Sequence, residues 1–485
     1  MSAALKSSAD GWRGQIGAGF DRRSAARLAA AALDVLAEQA PVRRVLIGYD
    51  GRRGGAEVAA AIATVVTRRL GAQPVLTGWL PTPIASAAVT EGRFDLALLV
   101  TASHNPASWN GLKLKYGATG SLGPALEARI ESRHAELAFD SLELVSALDG
   151  GTASPVIASA PDALIGEHLN RVLGRVGVAG GRPWRVVVDG LNGIAGTSAV
   201  RLARLLGWRV HPVACDPDPD FGFLTPDPAL PAARTRLAAQ VVGRGADFGI
   251  VLDGDGDRVF LVGSDGQVVE SGELYALLLG HLYRSVPDLR PRAIAVTTTT
   301  TSLPGTVAAE HGGEVLMRPV GFKNMGELIS DGQICAAGGS VGDLAFARYG
   351  RDRDPSVVLA LLARLLVESD AGLDEVVSGL RQRYGRRSWL ETAAGAPAGP
   401  LELDVLATTL LARTGLRLPV RSTSRIDGVR LELPDGQWLA VRRSTTEELV
   451  RAYAEFASDL ITETHLQHAL CAALRIVTSD RTGPS

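Results

Sequence analysis

Three aspartates stand at alternate positions in Val251-Leu252-Asp253-Gly254-Asp255-Gly256-Asp257-Arg258-Val259-Phe260, an acidic turn set between two apolar runs. Glycine between the carboxylates lets the backbone fold tightly, so Asp253, Asp255 and Asp257 can aim at one hard divalent cation. A calcium EF-hand loop needs glycine at its sixth place and glutamate at its twelfth; counted from Asp253 those places hold Arg258 and Ser264, and that reading fails. Without a metal the segment would be an acidic β-turn. Arg258 favours an anionic ligand beside the cation.

A second segment, Thr101-Ala102-Ser103-His104-Asn105-Pro106, follows the strand-like run Leu96-Ala97-Leu98-Leu99-Val100. A serine at the carboxyl end of a strand stands where α/β sheets present reactive groups, although Ser, Asn and Pro also build ordinary turns. Further on, Asn110-Gly111-Leu112-Lys113 can return a lysine to the same loop, where a desolvated or charge-coupled ammonium acts as acid or base. Most lysines are solvated surface instead.

The elements that must position these residues are legible in the alternation of apolar runs with Ala/Leu-rich periodic stretches, as in Val45-Leu46-Ile47-Gly48 followed by Ala56 to Leu70. This alternation predicts α/β layers. A chain of 485 residues implies three or four domains at roughly 100–200 residues each. The predicted units are 1–150, 151–270, 271–390 and a smaller 391–478, with a disordered tail at 479–485. The separators are Gly150 to Pro155 and the small-residue stretch Thr392 to Pro400.

With 52 acidic against 50 basic residues and no run of like charge, the chain carries no footprint for nucleic acid or an anionic membrane, which points to a small-molecule partner. Three scattered cysteines fit a reducing cytosol and exclude a disulfide framework. The polar N-terminus and the absence of an apolar run of about 18 residues predict a cytoplasmic protein. Some features take plainer readings. Asp189 to Gly196 is a tight strand-to-helix turn with the wrong glycine spacing for a dinucleotide loop, Thr297 to Thr301 reflects β-propensity, and Arg348, Arg351 and Arg353 offer phosphate contacts or, as is commoner, form a solvated face.

Taken in order, these segments resemble those of the α-D-phosphohexomutases, the family of phosphoglucomutases and phosphomannomutases. Gly11-Trp12-Arg13-Gly14, Gly48-Tyr49-Asp50-Gly51-Arg52-Arg53, Pro81-Thr82-Pro83 and Pro319-Val320-Gly321-Phe322-Lys323 extend the likeness along nearly the whole chain. The resemblance implies three related α/β domains plus a smaller α+β C-terminal domain around a central cleft. It implies a phosphoserine at Ser103 and Mg2+ held by Asp253, Asp255, Asp257 and Ser103. Lys113 and Arg258 would serve proton transfer and charge stabilisation, Arg13 would order the serine loop, and His104 would stand beside the nucleophile. Lys323, Ser340, Arg442, Ser444 and Thr446 would hold substrate. A hexose 1,6-bisphosphate activator and a monomer or homodimer complete the implied picture.

Two loops depart from the family pattern. The sugar loop Gly-Glu-x-Ser-Gly corresponds to Ala337-Gly338-Gly339-Ser340-Val341-Gly342-Asp343, which has no glutamate, so a charge-assisted hydrogen bond of about 1.5–3 kcal/mol is missing. Ser340 and Asp343 are the candidates to take its place. The phosphate loop Arg-x-Ser-Gly-Thr-Glu-Pro corresponds to Arg442-Arg443-Ser444-Thr445-Thr446-Glu447-Glu448, with Thr445 replacing glycine and Glu448 replacing proline. The expected activity is interconversion of hexose 1- and 6-phosphates, glucose or mannose. The alternatives are a hexose-bisphosphate synthase and a non-catalytic phosphosugar-binding protein.

Overall fold

Leu96–Val100 and Phe248–Leu252 are buried along their entire length, as continuous apolar strands are when helices cover both faces of a sheet. The computed structural model describes residues 5–8, 10–137, 157–158, 161–178, 181–396, 402–444 and 448–479. Three of its four sheets repeat one plan. In the first, Arg44–Tyr49 lies parallel to Gln73–Trp79 and Leu96–Val100, and Leu96–Val100 then turns back into antiparallel Trp109–Tyr116. In the second, Phe248–Leu252 is parallel to Arg185–Asp189 and turns back into Val259–Gly263. In the third, Ala336–Gly338 is parallel to Ile294–Thr297 and turns back into Leu344–Phe346. The serine loop, the acidic loop and the altered sugar loop are the three equivalent turns of this repeat.

The first three units are not independent. One apolar core runs through Leu46, Ile84, Val188, Leu252, Leu279 and Leu362, drawing residues from all three sheets. The helix Pro355–Ser369 is buried on nearly every side within it and starts at Asp354, whose side chain accepts the Ser356 N–H. The fourth sheet, antiparallel and five-stranded, has a core of its own around Leu410, Leu439 and Phe456.

One boundary differs from the sequence expectation. Arg387–Gly395 is a strand paired over its length with Leu449–Ala457, so the fourth unit starts before the small-residue stretch that was expected to separate it. Within it the small residues Thr392 to Gly395 pair with Ala452 to Leu449, so the ladder holds them as strand despite their weak local preference. Gly150 to Pro155, residues 397–401 and residues 480–485 lie outside the described residues.

The threonine run also reads differently in three dimensions. Only Thr297 belongs to a strand; Thr298, Thr299 and Thr300 form a buried turn that bonds back to the strand end, Thr297 Oγ1 lying 3.2 Å from Thr299 Oγ1 and 2.9 Å from Thr300 Oγ1. The fourth unit docks on that turn. Arg430 Nη1 donates to Thr298 O at 2.7 Å, Trp389 Nε1 to Thr299 O at 2.9 Å, and Ser302 N to Glu455 Oε2 at 2.7 Å. Arg430 is buried, with its guanidinium 3.9 Å over the Trp438 ring.

We expect Arg430→Ala to lower the melting transition of the fourth unit by the equivalent of about 1.5–3 kcal/mol, the worth of a hydrogen bond to a charged group. The transition of the shared three-sheet core should stay in place. A calorimetric trace in which every transition moves together would contradict a separately docked fourth unit.

Candidate active site

Ser103 follows the buried strand Leu96–Val100, in the turn leading to Trp109–Tyr116. Its φ is 52°, in the left-handed region that a residue with a Cβ enters at a cost, and its side chain is buried. Hydrogen bonds hold it there. Thr101 Oγ1 accepts from Ser103 N at 2.8 Å and donates to Asp50 Oδ2 at 2.7 Å. Arg52 commits all five of its N–H donors around the same loop. Its Nε donates to Asp50 Oδ2 at 2.9 Å, Nη1 to the carbonyls of Pro106 at 2.7 Å and Trp109 at 2.8 Å, and Nη2 to those of Ser103 and Asn105, both at 2.7 Å. Arg13 Nη1 donates to Asn105 Oδ1 at 2.5 Å.

The acidic loop meets this turn directly. A Cβ on Gly254 would lie 2.6 Å from Ser103 O, so only glycine permits this approach of the second unit to the first. Ser103 Oγ donates to Asp253 Oδ2 at 2.8 Å, and Asp253 Oδ1 accepts the N–H groups of Asp257 at 2.9 Å and Arg258 at 3.1 Å. Asp255 Oδ2 accepts from Thr82 Oγ1 at 2.6 Å and lies 2.8 Å from Lys113 Nζ. Asp257 Oδ2 lies 2.7 Å from the same Nζ and 3.1 Å from Arg353 Nη2. The three carboxylates are buried, and one oxygen from each comes within 4.8 Å of the others.

Asp255 Oδ1 and Asp257 Oδ1 have no hydrogen-bond partner. Buried carboxylate oxygens left unpaired on converging side chains are what an oxygen-ligated divalent cation satisfies, so the residues fit a metal. Arg13 Nε and Arg258 Nε are likewise buried without a partner, which leaves cationic donors for an anionic group.

The charge balance explains how such a cluster folds. Burial, with Asp257 and Asp255 alongside, pushes the Asp253 carboxyl well above its ordinary range. Burial would raise Asp257 also, yet Arg353, Lys113 and Arg258 hold it below. Lys113 loses by burial but gains more from Asp255, Asp257 and Asp10, so its ammonium is kept charged. Burial, Arg258 and Arg13 keep the His104 ring neutral, with Nδ1 3.4 Å from Ser103 Oγ.

Sequence reasoning missed four of these groups. Arg353 was placed on a solvated face, but it is buried, bonded to Asp10 as well as Asp257, and its guanidinium lies 5.1 Å from the Phe322 ring. It is buried because the turn after Leu344–Phe346 folds inward against the acidic loop. Lys115 shares a strand face with Lys113 and is enclosed by Asp352 at 2.8 Å, Ser121 Oγ at 3.2 Å and Asp10 at 3.4 Å. The period-two alternation of Trp109–Tyr116 signals that pairing once Lys113 is placed; nothing in the local pattern signals Asp10 or Asp352.

The residues expected on the substrate side lie on other loops of the third and fourth units. Lys323 Nζ donates to Glu127 Oε2 at 2.5 Å and Ser8 O at 3.0 Å, which ties the third unit to the first. Asp427 Oδ2 accepts from Arg442 Nε and from Val320 N, both at 2.9 Å, so Arg442 neighbours the Pro319–Lys323 segment. Ser444 N bonds Leu449 O at 2.9 Å; Thr446 lies outside the described residues. Ser340 Oγ is 3.1 Å from Thr299 Oγ1. In the sugar loop Gly342, not Gly339, has the positive φ, 82°, and a Cβ on Gly339 would fall 2.6 Å from the Asp343 carboxylate. Asp343 is buried, its carboxyl pushed up by burial against the pull of Arg258 and Arg353, and Val341 N donates to its Oδ1 at 3.3 Å.

Family models of phosphoglucomutase/phosphomannomutase α/β/α domains match residues 4–141 (domain I), 167–266 (domain II) and 270–384 (domain III). The chain belongs to this family. It is accordingly an enzyme of the phosphotransferase-isomerase kind. A phosphoglucomutase of Neisseria meningitidis is 27% identical over 88% of this chain and 88% of its own length. A phosphoglucosamine mutase of Mycolicibacterium vanbaalenii is 29% identical over 93% of this chain and 94% of its own. The crystal structure of a phosphomannomutase-like protein from Thermus thermophilus matches the fold with a TM-score of 0.79 at 22% identity, covering 98% of this chain and 100% of that one. Among the described residues of this family member no helix is long and apolar enough to cross a membrane.

Two outcomes are expected. Arg52→Lys leaves the serine loop short of donors for four carbonyls, so kcat should fall by roughly ten- to a hundredfold with KM little changed, as one to three kcal/mol of positioning implies; an unaltered kcat would remove Arg52 from the positioning of Ser103. Glu127, buried beside Asp10, has its carboxyl raised from 4.5 to about 7 in spite of Lys323. The folded state therefore binds this proton more tightly than the unfolded chain, and its contribution to stability is full below pH 4.5 and is lost as pH rises through about 7. Denaturation of Glu127→Gln across that range should show a shallower pH slope than the parent.

Proposed function

We propose that the chain interconverts hexose 1-phosphate and hexose 6-phosphate, glucose or mannose, through a phosphoserine at Ser103 and a hexose bisphosphate. The observation that carries this reading is the 2.8 Å bond from Ser103 Oγ to Asp253 Oδ2, which seats a strained, buried hydroxyl against a carboxylate cage with unpaired oxygens. In the forward step the bond from phosphorus to Ser103 Oγ breaks as phosphorus bonds a sugar hydroxyl oxygen; that hydroxyl gives up its proton and Ser103 Oγ gains one through Lys113, so no net proton is lost. In the return step the other phosphoryl group passes back to Ser103. Asp253, Asp255, Asp257 and Ser103 would hold Mg2+, which supplies electrostatic withdrawal from the phosphoryl oxygens. Lys113, kept charged, supplies a proton to the departing oxygen and field to the transferring group. His104 Nδ1 stands within reach of the serine oxygen, and Arg258 and Arg13 direct unpaired N–H groups at anionic charge. Lys323, Ser340, Arg442, Ser444 and Thr446 orient the substrate, and hexose 1,6-bisphosphate primes Ser103.

The sugar loop without its glutamate favours a second reading, synthesis or release of the bisphosphate without reorientation. Assays on glucose, mannose and glucosamine 1-phosphates separate the two: the first gives 6-phosphate at steady state, the second releases at most one equivalent of bisphosphate per phosphorylated chain and no 6-phosphate.

Ser103→Gly is the informative variant. It removes the hydroxyl and relieves the positive φ, so the chain should still fold while losing turnover and the added phosphate seen by intact mass. More than a few per cent of parental turnover would sink the nucleophile assignment.

A further inference from the structure

A cavity of about 720 Å³ opens between the helix Thr82–Thr90, the helix Pro161–Val176 and the turn 347–354 that follows Leu344–Phe346. Its lining holds six arginines against three carboxylates. Arg171 and Arg175 share Glu91. Arg348 and Arg351 have no carboxylate partner among the described residues; Arg351 Nη1 donates only to the Ile329 carbonyl, at 2.9 Å. The wall also carries His168, which is 5% exposed. Its Nε2 is 2.8 Å from Asp354 Oδ2, and its Nδ1 is buried with no partner. A buried ring nitrogen left unpaired in an arginine-lined cavity is a polar group awaiting a ligand.

We propose that this cavity is an effector site for a small phosphorylated anion, distinct from the site around Ser103. Cationic side chains stand on two sides of it, Arg348 and Arg351 on the turn, Arg171 and Arg175 on the helix, so an anion with two charged ends fits better than one with a single end. The size suits a metabolite of several carbons. The floor gives the site its reach. Asp352 bonds Ser86 Oγ and Lys115 Nζ, each at 2.8 Å, and Arg353 bonds Asp10 and Asp257 from the same turn. A ligand that draws on Arg348 and Arg351 acts on the residues that balance the acidic loop.

The probe is 3-phosphoglycerate, which has a phosphate at one end, a carboxylate at the other and no hexose ring; free Mg2+ is held constant. Calorimetry on the full chain should show binding that Arg348→Ala/Arg351→Ala weakens at least tenfold, with basal mutase kcat and KM unchanged in the variant. At saturating hexose phosphate, 3-phosphoglycerate should change kcat of the parent and not of the variant. Binding equal in parent and variant overturns the site, and so does competition with hexose phosphate alone, which would place the anion at Ser103. Binding with no change in kcat overturns the effector role. Should the double substitution impair folding, His168→Phe, which removes the unpaired nitrogen on a different element, must weaken binding on its own or the proposal fails.

Discussion

Three carboxylates buried within 4.8 Å of one another are the constraint around which the molecule is arranged. Such a cluster repels itself in a medium of low dielectric and exists only if cations are brought to it. The cations come from different parts of the chain: Lys113 from the first sheet, Arg258 from the acidic loop itself, Arg353 from the turn beyond the third sheet. Asp10, close to the N-terminus, counterbalances Lys113, Lys115 and Arg353 in turn. Assembly of the site and docking of the three units are therefore one event, which accords with the single apolar core they share.

Much of this was legible beforehand where chemistry is written in short spacings. The alternating Asp-Gly-Asp-Gly-Asp run, the serine turn and Lys113 each sit within a few residues of the strand that positions them, and period-two and helical patterns place those strands. What was not legible depends on pairing at long range. Arg353 looks like one of three surface arginines until the chain brings it to Asp257, almost a hundred positions earlier, and the threonine run reads as strand until its hydroxyls and carbonyls are seen to receive the fourth unit. The small-residue stretch that looked like a linker is in part strand because its backbone is paired by a partner far along the chain. Local propensity cannot report any of these.

The altered sugar loop shows the same division. Its lack of a glutamate is plain in the sequence, while the setting of Asp343 is seen only in three dimensions: the carboxylate is buried, with Val341 N donating to its Oδ1 at 3.3 Å. The loop is also fastened from behind, with Gly342 N donating to Ser271 Oγ at 3.0 Å and Val259 N donating to Gly342 O at 3.1 Å. Its backbone is thus held by the acidic hairpin even where its side chains have diverged.

The repeated turn at the end of a parallel strand has a consequence for how such an enzyme can change. Each of the three loops hangs between two paired strands, and the ladder on either side fixes its endpoints whatever side chains it carries. Substitutions in one loop leave the anchoring of the others intact, so the charged serine and acidic turns on one side and the third turn on the other form separable modules. The third turn can be rewritten alone, while the first two continue under the older demand of holding charge.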